Sequence, residues 1–208
     1  MTRFLLIRHA VNDWVSTGKL AGWTPEVHLS EEGKAQAEAL GQRLAEVPLA
    51  AIYSSPLERT VETAQAIAAH HPKIEMQIEE GIGEVRYGKW QGQKISTLAK
   101  KRKWYNVQHN PSRVQFPAGE TMRGAQARAV DTIERLQSQH PKGMVVVVSH
   151  SDVIKMITAH FLGMHLDLFQ RIVISPASIT SISLGSTRPM IETVNDISHL
   201  PKPKKDKK

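Results

Sequence analysis

The stretch MVVVVSHSDVIK, residues 144–155, decides the fold class. Met144 to Val148 is an unbroken apolar run, four of its five residues valine, and such a run suits the centre of a parallel sheet covered on both faces. It stops abruptly at Ser149-His150-Ser151-Asp152, and the segment from there to Leu162 reads as a helix. The same grammar opens the chain, where a strand from Arg3 to Arg8 with the apolar centre Phe4-Leu5-Leu6-Ile7 ends in Arg8-His9. A short strand, Ala51-Ile52-Tyr53, runs into Ser55-Pro56-Leu57-Glu58, which reads as a capping box with proline at the first helical position. Strand followed by helix, repeated, predicts an α/β protein with a mainly parallel sheet.

The remaining segments fill in around these. Ser30 with Glu31 and Glu32 opens a helix whose apolar positions include Ala39, Leu40, Leu44 and Val47. Ile74 to Glu80 alternates like a strand, and GIGEVRYGKWQG, residues 81–92, reads as an ordered surface loop. Ile95 to Tyr105 and Thr121 to Gln137 read as helices. Arg171 to Ile174, Ile179 to Leu184 and Met190 to Val194 are expected to complete the sheet, some as edge strands. No internal repeat or linker divides the chain, so one domain over residues 1–200 is expected, with a disordered lysine-rich tail over 201–208.

With 40% hydrophobic and 23% charged residues, the composition is that of an ordinary soluble globular protein. The absence of cysteine excludes disulfides, thiolate metal sites and a cysteine nucleophile, and fits a reducing cytoplasm. Phe4 to Ile7 is too short for a signal-peptide core, and no stretch approaches a membrane span. The net charge of +7 is concentrated in LPKPKKDKK, which carries +4. About +3 remains for the rest of the chain. Nucleic-acid binding would therefore rest on charge alone, without interleaved aromatics or a recognisable module.

Ligands of open α/β sheets bind beyond the carboxyl ends of the strands. On this reading the strand ends deliver Arg8 and His9, then Ser54 and Ser55 with Arg59 in the first turn beyond, then Ser149 and His150. Two arginines and two histidines on one rim, beside helix N-termini, make an anion site. Guanidinium forks match phosphate oxygens in particular. These blocks, Arg8-His9, SSPLERTVETAQ, GEVRYGKWQG and VVVVSHSDVIK, in that order, resemble the histidine phosphatase superfamily of phosphoglycerate mutase-like enzymes. The resemblance runs from Phe4 to Asn195, includes AGWTPEVHLSEEGKAQAEAL, and is nearest in pattern to a bacterial subgroup labelled as phosphomutases and phosphatases.

The resemblance implies a three-layer α/β/α fold and a role for each residue. His9 would attack phosphorus to form a phosphohistidine. Arg8, Arg59 and His150 would clamp the phosphoryl oxygens. Glu84, ahead of Tyr87-Gly88 and Trp90-Gln91-Gly92, would protonate the leaving alkoxide, which calls for a raised pKa. No cofactor or metal is implied, and His160 and His165, five residues apart, do not share a helical face. The sequence departs from the family at Ala10, where glycine is usual, at Val11 and Val15, and at Ser151-Asp152, where two glycines are common. Asn12 offers an amide to the phosphate in their place.

The favoured reading is a metal-independent phosphatase acting on a small phosphomonoester. A phosphoglycerate-type mutase is the first alternative, for which Arg86 and the run Lys100-Lys101-Arg102-Lys103 would supply extra cations. A catalytically silent phospholigand-binding module is the second. The alcohol bearing the phosphate and the oligomeric state are left open.

Overall fold

The computed structural model describes residues 1–201. The lysine-rich tail therefore lies, beyond Pro201, outside the described residues. Six strands form one sheet in the order β3-β2-β4-β1-β5-β6. They are β1 (Thr2–Arg8), β2 (Leu49–Ser54), β3 (Met76–Ile78), β4 (Gly143–Ser149), β5 (Ile179–Leu184) and β6 (Met190–Asp196). The four from β3 to β1 run parallel, and β5 and β6 add an antiparallel edge. The valine run sits in the middle as expected, with Val145 to Val148 fully buried. Each such valine contributes about 1.5–3 kcal/mol of apolar burial.

Alternation along β1 explains the layers. Leu5 and Ile7 face α2 (Glu31–Leu44) and α3 (Glu58–Ala68), packing with Leu40, Leu44 and Ile67. Phe4 and Leu6 face the other way, toward α6 (Met122–Gln139) and α7 (Ser151–Phe161), packing with Ala129, Ile133, Met156 and Ile157. The result is three layers, α/β/α. Three short helices, α1 (Asp13–Ser16), α4 (Ile95–Leu98) and α5 (Arg102–His109), sit in the connections that rise above the strand ends.

The register of the central pair sets the site. β1 and β4 are matched from Thr2↔Gly143 to Arg8↔Ser149, so the two strands expire together. His9 and His150 are the next residue on each, and the His9 N–H still donates to the Ser149 carbonyl at 3.0 Å. Ser55 joins them from the next strand through its N–H to Val148 O, 3.0 Å.

Several expectations need correction. Ser55 and Glu58 do not form a capping box: α3 begins at Glu58 with Leu57 as its uncapped N-terminal residue. The Ser55 hydroxyl is held by His150 Nε2 at 2.8 Å, and Glu58 Oε1 accepts the Glu26 N–H at 3.2 Å. Arg171 to Ile174 is not a strand. It follows a 3-10 helix at Leu166–Arg171, and the Ile174 carbonyl is taken by the Arg8 side chain rather than by a neighbouring strand. The expected helix over Ile95 to Tyr105 is two, α4 and α5, parted at Lys100-Lys101. Lys101 has an extended backbone as the N-terminal cap residue of α5, and its Nζ donates to Gln93 Oε1 at 2.9 Å. The strand expected over Ile74 to Glu80 is reduced to β3. Residues 81–92 are no surface loop, because Ile82, Val85, Tyr87 and Trp90 are all in the core.

Candidate active site

His9 is 4% exposed, at the floor of a cleft of ≈ 270 Å³ above the strand ends. Its Nδ1 lies 2.8 Å from the Ala10 carbonyl, which can only accept, so Nδ1 carries the hydrogen and Nε2 presents a lone pair. Burial and the charges of Arg59 and Arg8 push its pKa well below the ordinary 6.5, which keeps the ring neutral. Ala10, in place of the usual glycine, needs no special backbone: it is absent from the positive-φ residues, and its methyl packs with Leu29, Ala37 and Ala177. Its N–H is held by Thr63 Oγ1 at 3.1 Å.

Arg59 is 1% exposed although it sits in the first turn of α3. Its Nη2 donates to the Gly22 carbonyl at 2.8 Å and reaches His150 Nδ1 at 3.3 Å. Since a guanidinium cannot accept, His150 Nδ1 accepts and its Nε2–H donates to Ser55 Oγ. Burial and the same arginines, together with His9, keep His150 neutral too. Arg8 donates through Nη1 to Ile174 O at 2.8 Å. That leaves two buried donors, Arg8 Nε and Arg59 Nη1, without an acceptor among the described residues. Unpaired charged donors in a protein interior are costly, and an anion's oxygens remove the cost.

Glu84 completes the group. Its Oε2 is 3.8 Å from His150 Nδ1 and its side chain is 12% exposed. Its pKa is pushed up to about 7, by burial first and then by Asp152, against the opposing pull of Arg59, the Val85 N–H and Arg8. Asp152, in the first turn of α7, accepts from the Tyr87 hydroxyl at 3.0 Å. Asn12 is buried, lines the cleft and caps α1 through Oδ1 on the Val15 N–H at 2.9 Å. Arg86 is placed elsewhere: it does not line the cleft, and its guanidinium lies 3.8 Å over the Trp23 ring. Among the described residues no three His, Asp or Glu side chains gather as a metal-binding group.

Sequence reasoning missed what holds Glu84. Arg128, midway along α6, donates to the carbonyls of Gly81 and Gly83 at 2.8 Å and of Glu84 at 2.9 Å. Its other contacts form a fork with Glu120, at 2.7 and 3.0 Å. Trp23 Nε1 donates to the same Glu84 carbonyl. The indole lies so close that a Cβ at Gly83 would come within 2.5 Å of it, so only glycine fits there. The recognisable signal was the glycine spacing of residues 81–83. Nothing local marks Arg128.

A neutral imidazole nitrogen, two buried guanidinium donors and a carboxyl that holds a proton at neutral pH can together accept a phosphoryl group and protonate what leaves it. Residues 4–197 match the family model of the histidine phosphatase superfamily, branch 1. Phosphoserine phosphatase 1 of Hydrogenobacter thermophilus is 33% identical over 205 residues, covering 96% of this chain and 95% of its own. Phosphoglycerate mutase-like protein 4 of Arabidopsis thaliana is 30% identical over 157 residues, 74% of this chain and 68% of its own. Among solved structures, a phosphoserine phosphatase mutant from Entamoeba histolytica in complex with phosphoserine aligns with a TM-score of 0.87 at 26% identity, over 97% of this chain and all of that one.

Proposed function

The chain belongs to the histidine phosphatase superfamily, and from that premise we propose that it is a phosphatase that hydrolyses a small phosphomonoester through a phosphohistidine on His9, without a metal. The observation that carries this reading is the pair of unpartnered buried donors, Arg8 Nε and Arg59 Nη1, on the cleft that His9 also lines. Phosphoryl oxygens supply the acceptors that those guanidinium groups lack. His9 Nε2 attacks phosphorus, the P–O ester bond breaks, and the departing alkoxide takes the Glu84 proton. In the second step the Glu84 carboxylate removes a proton from water. The water oxygen attacks phosphorus, the P–N bond breaks, and inorganic phosphate and neutral His9 are restored. His150 joins the clamp when protonated, which a bound dianion favours by offsetting the two guanidinium charges that otherwise keep it neutral.

Hydrolysis is favoured over phosphoryl return to a second hydroxyl by the shortage of cations. Among the described lysines and arginines, only Lys19 lines the cleft beyond Arg8 and Arg59, and neither Arg86 nor Lys100 to Lys103 does. A mutase must hold a doubly charged acid while its intermediate waits. The test is phosphate release with a chelator present, over a panel that includes phosphoserine, the substrate in the relatives' names. Wild type is expected to release phosphate, and His9→Ala to release none. Isomerisation of a phosphoglycerate without release would make the chain a mutase instead. No turnover by folded protein would favour the binding module.

A further inference from the structure

The phosphoryl end occupies only the floor of the cleft, and the chemistry of the upper part is different. Trp14, Trp90, Ile95, Trp104, Val107 and Phe116 line it. Three of these form a continuous aromatic wall: Trp90 stacks on Trp104 with ring centroids 6.1 Å apart and meets Phe116 edge-on at 5.4 Å. Tyr87 extends the wall toward the floor, edge-on to Phe116 at 5.0 Å. Ile95 is 38% exposed, an apolar side chain at the mouth.

The charged groups of this region argue in the same direction. Glu84 and Asp152 both line the cleft, and neither offers an acidic substituent a positive charge. Among the described residues the one lysine or arginine lining the cleft above the floor is Lys19, which is exposed and sits 5.1 Å over the Trp14 ring, on a surface where water screens it. Gln108 and Gln170 are neutral. A leaving alcohol bearing a carboxylate or a second phosphate would thus meet, among the described residues of this upper part, a single solvated ammonium. An alcohol with a flat apolar body would cover the part-exposed rings of Trp104 and Trp14, which the buried Trp90 and Phe116 back, and displace water from them.

We propose that this wall is the leaving-group subsite, and that the preferred substrates are monoesters of alcohols carrying an aryl or similarly flat apolar group and no second acid. The proposal rests on the phosphatase reading given above, and the two fail differently. Three alkyl monoesters separate them, because each leaves as a poor alkoxide and so needs the same acid: 2-phenylethyl phosphate, ethyl phosphate and phosphoserine. The expected result is a kcat/KM at least tenfold higher for 2-phenylethyl phosphate than for either other compound. Trp104→Ala should remove most of that advantage while leaving ethyl phosphate within about threefold of wild type. Ile95→Ser, at an exposed position, should reduce the advantage in the same sense and covers the case in which loss of Trp104 disturbs folding. Phosphoserine turned over as well as or better than 2-phenylethyl phosphate would overturn the subsite and leave the phosphatase standing. Equal losses on all three esters in both variants would also overturn it. Release from none of them, by folded wild type, would remove the phosphatase reading and the subsite with it.

Discussion

Glu84 holds a proton near neutral pH because burial removes it from water and Asp152 repels its charge, and this has consequences for rate and for stability. For the rate, Glu84→Gln removes the acid but keeps the shape. Turnover of an alkyl phosphate should fall about 10²–10⁴-fold. The first half-reaction with p-nitrophenyl phosphate, read as the pre-steady-state burst of p-nitrophenol, should be slowed far less, since that leaving group needs no proton. Wild-type activity on alkyl esters should decline as pH rises through about 7, where the acid form is lost. For stability, the folded-state pKa lies above the ordinary 4.5, so the folded state retains the proton that the unfolded chain gives up. Stability from this group is therefore present below pH 4.5 and lost as pH rises toward 7. The glutamine variant does not titrate, so its melting temperature should exceed that of wild type at pH 8 and converge with it in acid. The corresponding gap is up to roughly 3 kcal/mol. Equal melting curves across that range would mean that Glu84 is ionised in the folded protein at neutral pH.

Among the elements, the segment from Gly81 to Glu84 shows how an irregular stretch is made rigid without a ladder of its own. Arg128 reaches across from α6 and ties three of its carbonyls, while Glu120 holds the guanidinium in place. Lysine keeps the charge but cannot make the fork. Arg128→Lys should lower kcat on alkyl phosphates about 10–100-fold through misplacement of Glu84. A smaller loss in the burst of p-nitrophenol from p-nitrophenyl phosphate than in the alkyl first step would mark Arg128 as a positioning residue for the acid. Equal losses on both substrates would assign it to general stability. This element also shows where local reading fails. Glu84 was singled out by family resemblance, through the aromatic-glycine pattern that follows it, whereas Arg128 lies in an ordinary helical pattern and acts on carbonyls more than forty residues away in sequence. The Ser55 box was misread for a related reason: the local motif was present, but a distant histidine held the hydroxyl more profitably than a helix N-terminus would. Arg171 to Ile174 failed as a strand because a buried arginine, not a neighbouring strand, claims its carbonyl.

Across the whole molecule, the sheet was legible from its apolar runs, since Phe4 to Ile7 and Val145 to Val148 have no other way to be buried than side by side at the centre. The cluster of Arg8, His9 and His150 followed, because these residues are what those runs end in. The cleft walls did not follow. Trp14 comes from the connection after β1, and Trp90 and Trp104 from the long one between β3 and α6, and only the closed fold brings them to one opening. That convergence also gives the protein an optical property. Three of its four tryptophans line the cleft, and the fourth, Trp23, donates to the Glu84 carbonyl. Intrinsic emission should therefore report occupancy without a label. Titration with 2-phenylethylphosphonate, whose C–P bond resists hydrolysis, should shift the emission to the blue as water leaves the indoles. Trp104→Phe should remove much of the shift, and an unchanged spectrum at saturation would place the ligand away from the wall. The indoles that line this opening are thus a built-in gauge of what enters it.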